Sequence, residues 1–184
     1  MVVIDSTNLL LMLRPGTPVP GGVDRAKERI DYLVHRLSKA KAKIIIPTPA
    51  LSEALVKAGA AASLQIVEEI QKHAVFSIEP FDTRAALEAS AMSRAALANG
   101  NKKGSSTAPW QKVKFDRQIV AIAKVNGATE IYSDDGDIAA LGQHAKIKVI
   151  RLSDLPLPPE KDQLDFLLES TATTAEAASD DEGG

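Results

Sequence analysis

Acidic residues close or follow the apolar runs of this sequence. Asp5 ends the run 1–4, and Glu53 lies just past the run 43–46. Asp116 stands ahead of a stretch with helical periodicity, and Asp134, Asp135 and Asp137 follow the short run 129–132. Taken singly, each has an ordinary structural role. Asp5 suits a helix cap, Glu53 an exposed helix position, Asp116 a favourable charge at a helix N-terminus, and 134–137 a turn and cap. Taken together, and gathered in one place, they cannot all stay ionised without a counter-charge, because like charges at close range raise one another's pKa. The usual remedy is a hard divalent cation. Mg²⁺ and Mn²⁺ take oxygen ligands and retain several waters. Such a site hydrolyses phosphodiesters by generating hydroxide and by neutralising charge on the phosphorane and leaving oxygens.

The acids matter only if the chain brings them together. The stretch 115–150 indicates how it would. Phe115, Ile119, Ile122 and Ala123 recur at helical spacing, and Asn126-Gly127 is a helix-ending pair. A strand over 129–132, the run Ser133-Asp134-Asp135-Gly136-Asp137, a short helix over 138–141 and a strand over 147–150 follow. Helix, strand, helix, strand at this spacing is a parallel α/β unit, whose site lies beyond the carboxyl ends of its strands.

The upstream half repeats the pattern. A buried strand over 1–4 leads to a helix over 8–13 capped by Ser6-Thr7, and a Pro/Gly loop over 15–22 follows. Asp24 is positioned to cap a helix carrying Ile30, Leu33, Val34 and Leu37. The β-branched run 43–46 reads as a strand buried on both faces. Thr48 then reads as an N-cap, with Pro49 in the first turn of the helix that carries Glu53. A helix over 61–72 brings Leu64, Val67 and Ile70, a third strand spans 74–78, and Asp82 caps an alanine-rich helix reaching 98. The segment 99–109 is Gly/Ser-rich and reads as a mobile surface loop, while 152–159 is a proline-rich exit.

Composition bounds the remainder. The absence of cysteine removes disulfides, thiolate zinc sites and a cysteine nucleophile, and fits a reducing cytosol. No apolar run approaches membrane-spanning length and no secretory leader is evident, so a cytoplasmic location without membrane association is expected. The net charge of −2 conceals an asymmetry: residues 160–184 hold eight acids against Lys161 alone, a segment charge of −7 that leaves +5 on the body. The expected organisation is one domain over 1–158 and an acidic, largely disordered tail over 159–184. His35, His73 and His144 are widely spaced and receive no role.

Four local patterns together resemble the PIN domain family: VVIDST, IPTPALSEAL, and KFDRQIVAIAKVNGATEIYSDDGDIAAL, which contains the last two. The resemblance spans 1 to about 156. It implies a three-layer α/β sandwich with a central, mostly parallel sheet of about five strands. It implies catalytic acids Asp5, Glu53, Asp116 and Asp135, with Asp5, Asp116, Asp135 and Asp137 holding Mg²⁺ or Mn²⁺. Asp134 matches a variable position and is secondary. Ser133 matches the family's small hydroxyl that positions water or phosphate. Members often carry Asn or Ser two residues after the first aspartate; here Thr7 stands there and Asn8 follows, so either could face the site.

The implied activity is a metal-dependent endoribonuclease acting on single-stranded or loop RNA, a toxin with an antitoxin partner or a stand-alone processing enzyme, with a homodimer as one arrangement. Lys102, Lys103, Lys112, Lys114 and Arg117 lie near Asp116 in sequence and could grip a phosphate backbone. Of these, Lys112, Lys114 and Arg117 join Thr7, Asn8 and Ser133 as candidate substrate-binding residues. Trp110 could stack a base, but lone tryptophans are mostly buried and packing on the helix is the favoured reading. The alternative is a non-catalytic RNA-binding or scaffold protein on the same fold, against which the full set of acids argues. A haloacid-dehalogenase-type phosphatase would need a second aspartate where Thr7 stands.

Overall fold

The computed structural model describes residues 1–14 and 16–159. Beyond Pro159, the expected acidic tail lies outside the described residues. Five strands form one sheet: β1 (Val2–Ile4), β2 (Ile44–Pro47), β3 (Phe76–Glu79), β4 (Glu130–Tyr132) and β5 (Lys148–Ile150). Every pairing is parallel and the order is β3-β2-β1-β4-β5. The chain moves outward from β1 to β3, then crosses back to lay β4 on the other side of β1. Between β1 and β4 the winding reverses, which opens a crevice at their carboxyl ends. Asp5 directly follows β1 and Ser133 directly follows β4. Their strands are in register, with Ile4 opposite Tyr132 and the Asp5 N–H donating to the Tyr132 carbonyl at 3.2 Å.

Seven helices among the described residues cover the sheet: α1 (Ser6–Leu13), α2 (Ala26–Lys39), α3 (Thr48–Ala58), α4 (Ala60–Lys72), α5 (Thr83–Ala98), α6 (Trp110–Val125) and α7 (Gly136–Ala145). Strand side chains alternate between two cores. Val2, Ile4, Ile44 and Ile46 pack with α1, α2, α3 and α4, while Val3, Ile45 and Ile131 pack with α5, α6 and α7. The result is the expected three-layer sandwich, with a sheet that is wholly parallel.

Several local expectations shift. Helix α6 begins at Trp110, so Asp116 lies within the helix rather than at its start. Phe115 leaves the apolar stripe and is 49% exposed, because the buried face of this part of the helix is set by Val113, Asp116, Arg117 and Val120. Asp5, not Ser6 or Thr7, caps α1 by accepting the Asn8 N–H at 2.9 Å. Helix α2 is preceded by Arg25 in a left-handed conformation, while the Asp24 carbonyl accepts from Arg29. Thr48 is already helical, and its hydroxyl accepts the Phe81 N–H at 3.2 Å, tying α3 to the segment after β3. Strand β3 starts two residues later than the sequence suggests, and α7 is longer at both ends. Asp82 does cap α5, accepting from the Ala85 N–H.

On α4 the core positions are Ile66 and Ile70, and Leu64 is 76% exposed. Ile45→Ala, which empties a site closed on both sides by the sheet and α6, should cost about 2–5 kcal/mol in urea denaturation. Leu64→Ala should change stability by no more than about 0.5 kcal/mol.

Candidate functional site

The crevice at the β1/β4 junction is a cleft of about 580 Å³, lined by Asp5, Thr7, Glu53, Lys112, Asp116 and Asp135 among others. Each acid arrives on a different element. Asp5 comes from the end of β1, Glu53 from α3, Asp116 from α6, and Asp135 from the β4–α7 turn.

Local hydrogen bonds explain how each is held. Asp5 is buried and uses both oxygens. Oδ1 caps α1, and Oδ2 accepts from the Ser133 hydroxyl at 2.6 Å. Ser133 Oγ in turn accepts the Asp135 N–H at 3.1 Å, so one buried hydroxyl joins the ends of β1 and β4. Asp135 divides its work: Oδ1 caps α7, accepting from the Asp137 and Ile138 N–H groups, while Oδ2 is left to face the cleft. Asp135 is therefore cap and site residue at once. Glu53 accepts from the Ser6 hydroxyl at 2.8 Å and pairs with Lys57, one turn on, at 2.9 Å. Asp134 Oδ1 accepts the Leu152 N–H, which fastens the segment after β5.

Three carboxylates, Asp116, Asp135 and Asp137, each offer an oxygen within 4.8 Å of the others. Asp5 and Glu53 line the same cleft outside that group. The donors are all hard oxygens, the chemistry Mg²⁺ and Mn²⁺ prefer. A cation already stands among them. The Lys112 ammonium lies 2.9 Å from Asp116 Oδ2, 2.7 Å from Asp135 Oδ2 and 3.5 Å from Asp137 Oδ2. The group thus fits a positive charge at its centre.

The environment separates the acids into two kinds. Burial pushes Asp5 up to about 6, against the bonds from Ser133 and Asn8, and the charges of Asp134 and Asp135 add to the rise. Burial likewise pushes Asp116 up to about 6, against Lys112 and with help from Asp135 and Asp137. Burial also acts to raise Asp135 and Glu53, but it is outweighed. Lys112 and the Asp137 N–H hold Asp135 below its ordinary value, and Lys57 and Ser6 do the same for Glu53. Burial pulls Lys112 down, yet its bonds to Asp116 and Asp135 hold the ammonium above the usual lysine range.

The other candidates divide. Thr7 lines the cleft, whereas Asn8 is fully buried and its side-chain amide has no partner among the described residues. Lys114 is exposed and is not among the residues lining the cleft. Arg117 is 3% exposed and points away from the cleft, donating to Ser93 and to the Lys102 carbonyl. Trp110 meets both Lys102 and Arg117, each cation 5.3 Å from its ring centroid. Arg117 and Trp110 therefore fasten the 99–109 segment to α6. The sequence reading passed over Ser6, Lys57 and the exposure of Phe115. Lys57 was findable, since it stands one turn after Glu53 as Lys112 stands one turn before Asp116. A second cavity of about 530 Å³, between α5, α7 and the 99–106 segment, reaches the acid group only through Asp137. Its alanine-rich floor gathers no comparable set of acids.

The raised pKa values have a signed consequence for stability. A carboxyl whose folded pKa exceeds its unfolded value binds more protons when folded, so its contribution is present below about pH 4 and is lost as pH rises through about 6. Metal-free protein should therefore lose stability from this source between about pH 4 and 6. Asp5→Asn keeps the cap acceptor without the buried charge. It removes the titrating group but also the acceptor of the Ser133 hydroxyl, so it should flatten that part of the profile whatever its effect at a single pH, read by denaturant unfolding at a series of pH values.

At the level of sequence, no family model matches the chain and no curated protein does. The fold, however, is shared with solved structures. FitAB bound to the IR36 DNA fragment superposes with a TM-score of 0.56 at 18% identity, over 85% of this chain and 98% of that one. DNA-bound VapBC from Salmonella typhimurium gives 0.52 at 16%, over 82% and 97%. VapC20 from Mycobacterium tuberculosis, a sarcin-ricin loop cleaving toxin, gives 0.51 at 17%, over 77% and 95%. No helix among the described residues is long and apolar enough to cross a membrane. The chain has the α/β architecture of the PIN fold, with its acids at the β1/β4 switch point.

Proposed function

We propose that this protein is a divalent-metal-dependent endoribonuclease that hydrolyses RNA phosphodiester bonds in the β1/β4 cleft. The observation that carries the reading is the convergence of Asp5, Glu53, Asp116, Asp135 and Asp137, from sites up to 132 residues apart, with three of them grouped around one positive centre. Asp116, Asp135 and Asp137 would hold Mg²⁺ or Mn²⁺, with Asp5 beside them. Such an ion, when bound, acts as a Lewis acid on the phosphate and offsets the negative charge that builds there.

The chain's own residues supply the rest. Ser133 keeps Asp5 and the Asp135 backbone at a fixed separation. Ser6 and Lys57 orient Glu53 on the α3 wall, where its depressed pKa leaves it ionised and able to accept a proton from water. Lys57 and Lys112 bring positive charge to a phosphate backbone. Phe115, exposed in the cleft wall one residue before Asp116, offers a face for an unpaired base. A base inside a duplex is already stacked and could not use it, so the preferred substrate is single-stranded or loop RNA in the cytoplasm. The likeness to FitAB and VapBC supports an antitoxin protein as partner, and the chain as the toxin of such a pair. A second reading, a non-catalytic scaffold, is favoured by one observation: Lys112 already contacts all three grouped acids and offsets part of their charge.

Asp116→Asn should reduce Mn²⁺-dependent cleavage of single-stranded RNA by about a hundredfold or more while the circular dichroism spectrum is unchanged, since outer partners of a metal site already cost about 10–100-fold and Asp116 would be a direct ligand. Retained cleavage would remove the mechanism. Phe115→Ala should weaken binding of a single-stranded oligonucleotide by about 1–3 kcal/mol in fluorescence anisotropy and leave duplex binding almost unaltered.

A further inference from the structure

Lys112 does more than line the cleft. Its ammonium touches the same three carboxylates that form the compact group, at 2.9, 2.7 and 3.5 Å. Asp116 and Asp135 both direct Oδ2 at it. A divalent cation held by those same oxygens would draw on the lone pairs that now accept from the ammonium, so the two cations compete for them. Lys57 makes a useful contrast. It pairs with Glu53 and approaches Ser6, and touches none of the three grouped acids.

We propose that Lys112 is a built-in placeholder for the metal: its ammonium and a divalent ion occupy the Asp116–Asp135–Asp137 group in mutually exclusive fashion, and ion entry turns the ammonium out into the cleft, where it faces the substrate phosphate. This rests on the nuclease reading and adds to it a switch between two positions of one side chain. With the ammonium inward, the like-charged carboxylates stay assembled in the absence of metal. With it outward, the same charge serves the substrate. Residue type agrees with the role. A lysine carries a compact charge on a flexible stem, able to leave one anion for another, whereas the planar arginine fork would lock onto one carboxylate. Lys112 lines the cleft near the start of α6 and its side chain is 42% exposed, so it already borders solvent.

The test is direct Mn²⁺ binding by the full chain, read from the free-ion signal in electron paramagnetic resonance, for wild type, Lys112→Met and Lys57→Met. Displacement predicts that Lys112→Met tightens Mn²⁺ by about tenfold, well beyond Lys57→Met, and that the gap persists at high salt, where the diffuse effect of removing a nearby positive charge is screened. As a second readout, Mg²⁺ should raise the rate at which an amine-acylating reagent labels Lys112, quantified by mass spectrometry against Lys114. Equal tightening by the two variants, or labelling of Lys112 that ignores Mg²⁺, overturns the placeholder role while leaving the nuclease reading intact. If neither wild type nor Lys112→Met binds Mn²⁺, both fall.

Discussion

Like charges held close together in a poorly solvated crevice must be compensated, and this requirement shapes the cleft. Coulomb repulsion between carboxylates a few ångströms apart grows as solvent is excluded. Here compensation comes in three forms. Backbone N–H groups at the starts of α1 and α7 take one oxygen each of Asp5 and Asp135. Hydroxyls of Ser6 and Ser133 take oxygens of Glu53 and Asp5. Lysines one turn away on the same helices meet Glu53 and Asp116. Some demand remains, and burial, with repulsion from the neighbouring acids added to it, raises Asp5 and Asp116 to about 6. A divalent ion would satisfy it more completely than either proton or lysine.

Helix α6 is where these demands meet the packing of the domain. One flank buries Ile119, Val120 and Ile122 against the sheet. A second presents Lys112, Phe115 and Asp116 to the cleft. A third carries Trp110 and Arg117, which secure the 99–109 segment at Lys102, while Arg117 also donates to Ser93 on α5. The buried Arg117 is thereby a structural clamp, and the cations that line the cleft are Lys57 and Lys112 instead. A helix anchored on two flanks can hold its third against a repulsive group of acids without tilting away.

The double use of Asp135 shows why a capping role does not exclude a place in the cleft. A carboxylate has two oxygens, and a cap engages only one. Capping orients the second oxygen into the cleft. The same economy appears in Ser133, which donates to Asp5 and accepts from Asp135, so that the two central strands are tied at the point where the chain reverses its winding.

Much of the arrangement was legible before any coordinates. Alternating apolar runs and periodic stretches, with turn residues between them, require a parallel sheet between helices, and acids placed after strands require a site at the carboxyl edge. These are local properties of period and punctuation, which a linear sequence carries directly. What it does not carry is rotation about a helix axis and the reach of side chains between distant segments. Starting α6 at Trp110 rather than near Phe115 moved Phe115 from core to cleft. The fates of Arg117 and Leu64 were decided in the same way, by which side of a helix the neighbouring elements claim, since each residue turns the face by about 100°. The meeting of Lys112 with Asp135 and Asp137 depends on the register of β1 with β4 and on the packing of α6 against α7, and only the folded chain sets those distances.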